Sequence, residues 1–256
     1  KVMEIKNQVA VITGGGSGMG AETARFLKKI GANVALLDFD KQKADAVANE
    51  INGFSVACDV SQAESAEQAV KQVVEKFGAI TICVNCAGIA PAARIVGRQG
   101  AMPLQDFDRV IQVNLIGTFN VMRLCAQQMM CQEALNHDNE RGVIINTASV
   151  AAFEGQIGQA AYSASKGGVV ALTLPAAREF AKFGIRVMAI APGIVATPMM
   201  KSMPDEVQAG LAATVPFPQR LGHADEYARL VKDIIENPYL NGSVIRFDGA
   251  LRMAAK

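Results

Sequence analysis

Short runs rich in Val and Ile recur along the chain, and segments of helical period with one polar face lie between them. A run that stays apolar at every position suits a strand covered on both faces. Its regular alternation with amphipathic helices predicts a parallel sheet with helices packed on each side. The candidate strands are Gln8–Thr13, Asn33–Asp38, Phe54–Cys58, Thr81–Val84, Gly142–Thr147, Ile185–Ile190 and Ser243–Phe247. The candidate helices are Gly18–Ile30, Lys41–Ile51, Gln62–Phe77, Leu104–Gln132, Ala160–Phe183, Pro204–Thr214 and Ala224–Asn237. Ser61, with Glu64 three residues on, reads as a capping box, and Gly78 and Gly184 follow helix ends.

These elements predict an α/β fold: a single-domain, Rossmann-like, doubly wound parallel sheet of about seven strands with helices on both faces. No linker or low-complexity tract interrupts the 256 residues, so residues 1–256 read as one domain. Lys plus Arg number 25 against 24 for Asp plus Glu, and this balance supplies no field for nucleic acid or anionic lipid. No nucleic-acid partner is expected. Apolar stretches such as Gly184–Ile194 fall well short of the ~18 to 20 residues a membrane span needs, so no membrane partner is expected either. Five cysteines, an odd number, suit a reducing compartment. The first apolar run begins by Gln8, an opening that predicts no signal or transit peptide.

In a doubly wound sheet ligands sit beyond the carboxyl ends of the strands, so the strand-to-helix turns should carry the chemistry. The first such turn is Thr13-Gly14-Gly15-Gly16-Ser17-Gly18-Met19-Gly20. Glycines let the backbone approach a diphosphate, and the helix that follows offers unpaired N–H groups and a positive dipole end. The spacing Gly14-x-x-x-Gly18-x-Gly20 is not the commonest dinucleotide fingerprint, and a plain tight turn would use the same residues. Asp38 closes the second strand eighteen residues past Gly20, where an adenosine ribose would lie. A carboxylate there accepts both ribose hydroxyls and repels a 2′-phosphate, which favours NAD over NADP. It would also serve to begin a turn with Asp40. Asp59, before Val60 at the end of the third strand, suits an adenine amino group or a turn.

Downstream, Ser149 follows the fifth strand, and Tyr162 and Lys166 open the next helix at i and i+4, on one face. Stabilising a phenolate from its reference pKa near 10 to about 7 takes about 4 kcal/mol. A neighbouring ammonium, helped by a positive nicotinamide ring, is a source for it. Tyr162 could then act as acid or base on a substrate oxygen that also receives a hydrogen bond from Ser149. A Tyr-x-x-x-Lys pair also occurs as a solvated pair on a helix surface.

Taken together these pieces resemble the short-chain dehydrogenase/reductase family over essentially the whole chain. The motifs are the glycine turn Thr13–Gly20, Asp38, Asp59-Val60, Asn85-Cys86-Ala87-Gly88, Asn114, Ser149, Tyr162-x-x-x-Lys166 and Pro192-Gly193. The resemblance implies a catalytic tetrad. Tyr162 is its acid/base, Lys166 lowers the pKa of that phenol and binds the nicotinamide ribose, Ser149 orients the carbonyl, and Asn114 holds a water in a proton relay. It also implies NAD lying against Gly14, Ser17, Gly18, Met19, Gly20, Asp38, Asp59, Val60, Asn85, Ala87, Gly88, Tyr162, Lys166, Pro192, Gly193 and Thr197.

Three stretches, Gly142–Gln156, Val215–Gly222 and Val244–Met253, look like the branch of that family that acts on 3-hydroxyacyl-CoA thioesters. Cys86 for the more usual Asn, and Asp248-Gly249-Ala250 for Asp-Gly-Gly, match that branch. So does the longer segment between Gly88 and Leu104, with Arg94 and Arg98, as an insertion near the substrate mouth. The implied reaction is NAD-linked interconversion of (3S)-3-hydroxyacyl-CoA and 3-ketoacyl-CoA. Ser149, Gln156, Gln159 and Tyr162 are the implied substrate contacts, and residues 193–216 are the implied substrate loop. An alcohol, steroid or other ketone outside the CoA class is the alternative. The resemblance further implies a homotetramer, paired through the helices from Leu104 and Ala160. A cytoplasmic location is expected, with the mitochondrial matrix the alternative for an animal source. A reading of another class is a structural subunit of an RNA-processing complex, but aromatic residues at 5% and no Trp leave little for base stacking.

Cys83 and Cys86 have C-x-x-C spacing, yet on a strand end residues three apart face opposite sides, so no metal or redox pair is expected. His137 and His223 are the only histidines and lack an evident partner for hydrolase chemistry.

Overall fold

The structure, a computed structural model, describes residues 2–255 apart from the side chain of Met199. Strands and helices alternate through β1 (Val9–Thr13), α1 (Gly18–Lys29), β2 (Asn33–Asp38), α2 (Lys41–Ile51), β3 (Phe54–Ala57), α3 (Ala63–Phe77) and β4 (Ile82–Asn85). A small hairpin, β5 (Val96–Gly97) with β6 (Gly100–Ala101), leads into α4 (Leu104–Ile111), a π-helical turn (Gln112–Ile116) and α5 (Gly117–Met130). There follow β7 (Gly142–Thr147), a 3-10 turn (Val150–Ala152), α6 (Ala160–Phe180) and β8 (Ile185–Pro192). The chain finishes through α7 (Pro198–Lys201), α8 (Asp205–Ala213), α9 (Ala224–Glu236) and β9 (Val244–Phe247).

Seven strands form one parallel sheet in the order β3-β2-β1-β4-β7-β8-β9. From β1 the chain winds outward to β3, then returns to lay β4 on the other side of β1. The order therefore reverses between β1 and β4, and a crevice opens at their carboxyl ends. Period-two alternation explains the double winding: Val9 and Val11 of β1 enter the core on one face, and Ala10 and Ile12 enter the core on the other. On the second face α9 packs on α1 through its buried Tyr227, Val231, Ile234 and Ile235.

Arg186 of β8 ties α9 down from the strand side. Its Nε donates to Glu140 at 2.7 Å, and its Nη atoms donate to the carbonyls of Ile234, Ile235, Asn237 and Leu240, so it satisfies the open C-terminal end of that helix.

Boundaries fall within a residue or two of the expectations, but four features differ. The Ser61–Glu64 capping box does not form, because Asp59 Oδ1 takes both the N–H and the hydroxyl of Ser61 at 3.0 and 2.6 Å and Gln62 becomes the N-cap residue. The long helix expected from Leu104 to Gln132 is interrupted by the π-turn around Asn114. The insertion before it folds into the β5–β6 hairpin, and in residues 193–216 a further short helix, α7, precedes the expected one.

Candidate active site

The turn after β1 is shaped by contacts that exclude side chains. Gly14 has φ +64, and a Cβ there would lie 2.9 Å from the Ala87 nitrogen. A Cβ on Gly20 would meet the Gly14 carbonyl at 2.2 Å, so α1 begins directly on the turn. A Cβ on Gly18 would lie 3.6 Å from the Thr197 side chain. Ser17, the exposed N-cap residue, makes no capping hydrogen bond, and the first turn of α1, with Met19, carries no acid. The start of α1 thus keeps its N–H groups and positive dipole end for a diphosphate, with Thr197 opposite. A bound dinucleotide phosphate fits this cradle.

Asp38 is bound to the same turn. Its Oδ2 accepts the Gly16 N–H at 2.9 Å and its Oδ1 accepts that of Asp40 at 2.9 Å. The turn reading and the ribose reading therefore coexist, since each oxygen keeps a lone pair free. Asp59 spends Oδ1 on Ser61, which leaves its other oxygen for any adenine contact. Val60 is turned into the core, where a Cβ on Gly117 would meet its Cγ2 at 2.5 Å, and its carbonyl is taken by Asn120.

Thr13, which the motif reading passed over except as the first residue of the glycine turn, joins the two strands that border the crevice. Its hydroxyl accepts the N–H groups of Cys86 and Ala87 at 3.1 and 3.2 Å and donates to Asn85 Oδ1 at 3.3 Å. Asn85 continues the chain to Asn146 at 2.9 Å. The buried Asn85 amide therefore cross-links strands, and any contact it makes with a cofactor comes from its backbone.

Asn114 lies in the π-turn between α4 and α5. Its fully buried amide clamps Ile89, accepting from the N–H and donating to the carbonyl, both at 2.8 Å, and donates to Ser165 Oγ at 3.0 Å. A side chain so occupied is poorly placed to carry a water relay. The backbone carbonyl in the π-turn accepts the Thr118 hydroxyl at 2.7 Å. Gly88 lies against this group, where a Cβ would stand 3.2 Å from Asn114 Oδ1 and 3.6 Å from Lys166 Nζ.

Lys166 is buried, and its Nζ donates to the Thr147 carbonyl at 2.7 Å. Burial pushes its pKa down to about 8. The Nζ stands 5.9 Å from the Tyr162 ring centroid. Ser149 Oγ accepts the Ala151 N–H at 3.1 Å, and Ser149 lies close enough to the Tyr162 phenol to act on its pKa. Burial raises the Tyr162 pKa above its ordinary value, and Ser149 offsets this only in part, so the pair by itself does not lower the phenol; the expected lowering also draws on a positive nicotinamide ring. Desolvation is the larger of the two influences on the phenol.

Gln156 and Gln159 are brought together, the Gln156 N–H donating to Gln159 Oε1 at 2.8 Å. With Arg94, Val96, Phe153 and Ser163 they line a cavity of about 600 Å³ beside the β5–β6 hairpin. Pro192 ends β8. Gly193 donates to the Phe247 carbonyl at 2.9 Å, and a Cβ on it would meet Asp248 Cβ at 2.9 Å. Thr197 caps α7 and faces Gly18 across the crevice. Cys83 and Cys86 enter opposite cores, as strand geometry requires, and all five cysteines are free.

A crevice at the strand reversal, a phosphate-ready helix start and a Ser-Tyr-Lys group at its edge define a nicotinamide-dependent oxidoreductase. The family model "short chain dehydrogenase" matches residues 8–208, and the chain belongs to that family. It is 52% identical to 3-hydroxyacyl-CoA dehydrogenase type-2 of Rattus norvegicus, the match covering 98% of each chain. Against the protein of that name from Homo sapiens it is also 52% identical, over 97% of each. The crystal structure of 3-hydroxyacyl-CoA dehydrogenase type-2 from Mycobacterium avium matches with a TM-score of 0.93 at 38% identity, covering 99% of this chain and 98% of that one. The chain is therefore an enzyme that interconverts a secondary alcohol and a ketone. Among the described residues no helix is long and apolar enough to cross a membrane.

Proposed function

We propose that the protein uses NAD(H) to interconvert (3S)-3-hydroxyacyl-CoA and 3-ketoacyl-CoA. The grouping of Ser149, Tyr162 and Lys166 carries this reading, because it brings two hydroxyls to one substrate oxygen beside the cofactor crevice. In the oxidising direction Tyr162 Oη first releases its own proton toward Lys166 and then, as phenolate, takes the proton of the substrate hydroxyl while Ser149 Oγ donates a hydrogen bond to the same oxygen. The nicotinamide ring supplies the hydride acceptor when bound. Lys166 Nζ, poised near pH 8, passes the phenolic proton outward through a water held by the Asn114 carbonyl.

Asp38 supports NAD over NADP, since its free lone pairs suit two ribose hydroxyls and its charge repels a 2′-phosphate. The turn residues Gly14, Ser17, Gly18, Met19 and Gly20 take the diphosphate with Thr197. Asp59 takes the adenine, and Val60, Asn85, Ala87, Gly88, Pro192 and Gly193 contribute backbone. The cavity lined by Gln156, Gln159 and Arg94 takes the thioester side of the substrate, as the names of the relatives support. Exposed Ile116 and Phe119 before and on α5, with Leu174 on α6, support a homotetramer paired through these helices. Five free thiols suit a reducing compartment.

Acetoacetyl-CoA with NADH tests the reading, with NADPH, a simple ketone and Tyr162→Phe in parallel. Fast NADH oxidation that vanishes in Tyr162→Phe is the expected result. Reduction of the simple ketone without turnover of the thioester would move the substrate outside the CoA class.

A further inference from the structure

The loop that joins Ser149 to Tyr162 is held at its outer edge by residues from the far end of the chain. Arg246, on the edge strand β9, makes a two-pronged pair with Glu154, its Nη1 donating to Oε2 at 2.9 Å and its Nη2 to Oε1. The guanidinium is itself fixed: Nε donates to Asp248 Oδ2 at 2.7 Å, Nη2 donates to the Leu251 carbonyl at 3.0 Å, and the Phe153 ring lies 5.3 Å away. Beyond Leu251 the chain follows the loop, accepting from Gln156 Nε2 at Ala254 and from the Ile157 N–H at Ala255, at 3.1 and 3.0 Å. Arg246 and Glu154 are each about one-fifth exposed, at 22% and 21%. The pair is thus shielded, bidentate and networked, unlike an ordinary surface ion pair.

Ser149 Oγ is aimed by the turn it caps, since it accepts the Ala151 N–H, and Glu154 closes that turn by donating to the Val150 carbonyl at 3.0 Å. Whatever holds Glu154 therefore holds the direction of the Ser149 hydroxyl. We propose that Arg246 is a positioning residue which, through Glu154 and with residues 251–255, keeps the Ser149 turn against Tyr162 and so governs proton transfer at the phenol. The proposal rests on the proposed reaction only for the acid–base role of Tyr162. The charges that bear on the two ends are Lys166 of α6 beside Tyr162, and Arg246 and Arg252 beside Glu154.

The protein has three tyrosines, Tyr162, Tyr227 and Tyr239, so ring-labelled ¹³C-tyrosine gives three signals that are followed separately by NMR. In the full chain Arg246→Met should move the Tyr162 titration to higher pH, leave Tyr227 and Tyr239 in place, and lower kcat about 10- to 100-fold with NADH affinity unchanged. Arg246→Lys should recover part of both effects, and Glu154→Gln, which keeps the shape of the loop, should repeat them more weakly. An unmoved Tyr162 titration in Arg246→Met and Glu154→Gln overturns the proposal, and so does a common drift of all three signals. If the parent protein turns over no 3-ketoacyl-CoA, the substrate reading fails while the Tyr162 titration still decides the positioning role.

Discussion

Lys166 Nζ donates to the carbonyl of Thr147 at 2.7 Å, fastening the face of α6 that carries Tyr162 and Lys166 to the last residue of β7. The Thr147 hydroxyl in turn lies 2.7 Å from that of the fully buried Tyr227. A lysine and a phenol that make an i, i+4 pair on a helix are thereby fixed to the sheet end where a hydride acceptor would lie.

Burial of Lys166 gives stability a specific pH signature. Its folded pKa of about 8 lies below the unfolded value of 10.5, so between them the unfolded chain holds the extra proton. The cost of the buried charge is fully present below pH 8 and is relieved as pH rises toward 10.5. Relative to Lys166→Met, the parent should gain about 3 kcal/mol across that window. Denaturant melts of both proteins at several pH values check this, and a constant gap would show that Lys166 titrates normally.

Tyr162→Phe should lower kcat by about 100-fold or more while leaving NADH binding intact, because the ring stays and only the proton carrier is lost. Stopped-flow turnover and fluorescence binding on the same sample separate the two. A matching loss of binding would mean that the phenol holds cofactor rather than substrate oxygen.

Asp38→Asn should keep the acceptor for Gly16 but remove the charge that repels a 2′-phosphate. The ratio of kcat/KM for NADPH over NADH should rise about 10-fold or more, which corresponds to about 1.4 kcal/mol. Steady-state kinetics with both cofactors decide it. An unchanged ratio would relocate cofactor selection to other residues.

Arg186→Ala should destabilise the fold by about 3 to 5 kcal/mol, because it strands Glu140 and uncaps the carbonyls of α9. Urea unfolding measures it. A loss below 1 kcal/mol would show that water replaces the guanidinium without cost.

The strands were legible because each is covered on both faces, so burial leaves an unbroken apolar run. The Tyr162–Lys166 pair was legible because helical geometry alone puts i and i+4 side by side. Local rules failed where a nearby group competed, as when Asp59 captured Ser61 before it could cap α3. They were also silent on conformation that depends on packing. The π-turn at Asn114 exists where Ile89 and Ser165 clamp its amide, 25 and 51 residues away.

Residue order by itself determined the doubly wound sheet, the glycine turn at its reversal point and the helix face that presents Tyr162 and Lys166. Periodicity and steric freedom act over a few neighbours, and a chain displays them without being folded. Tertiary structure alone decided which polar groups were spent on structure: Asn85 on Asn146, Asn114 on Ile89, Lys166 on Thr147, and Arg246 on Glu154, 92 residues away. A hydrogen-bond donor has no preferred partner along the sequence. Its partner is set by which strand ends and loops the packed sheet brings within 3 Å.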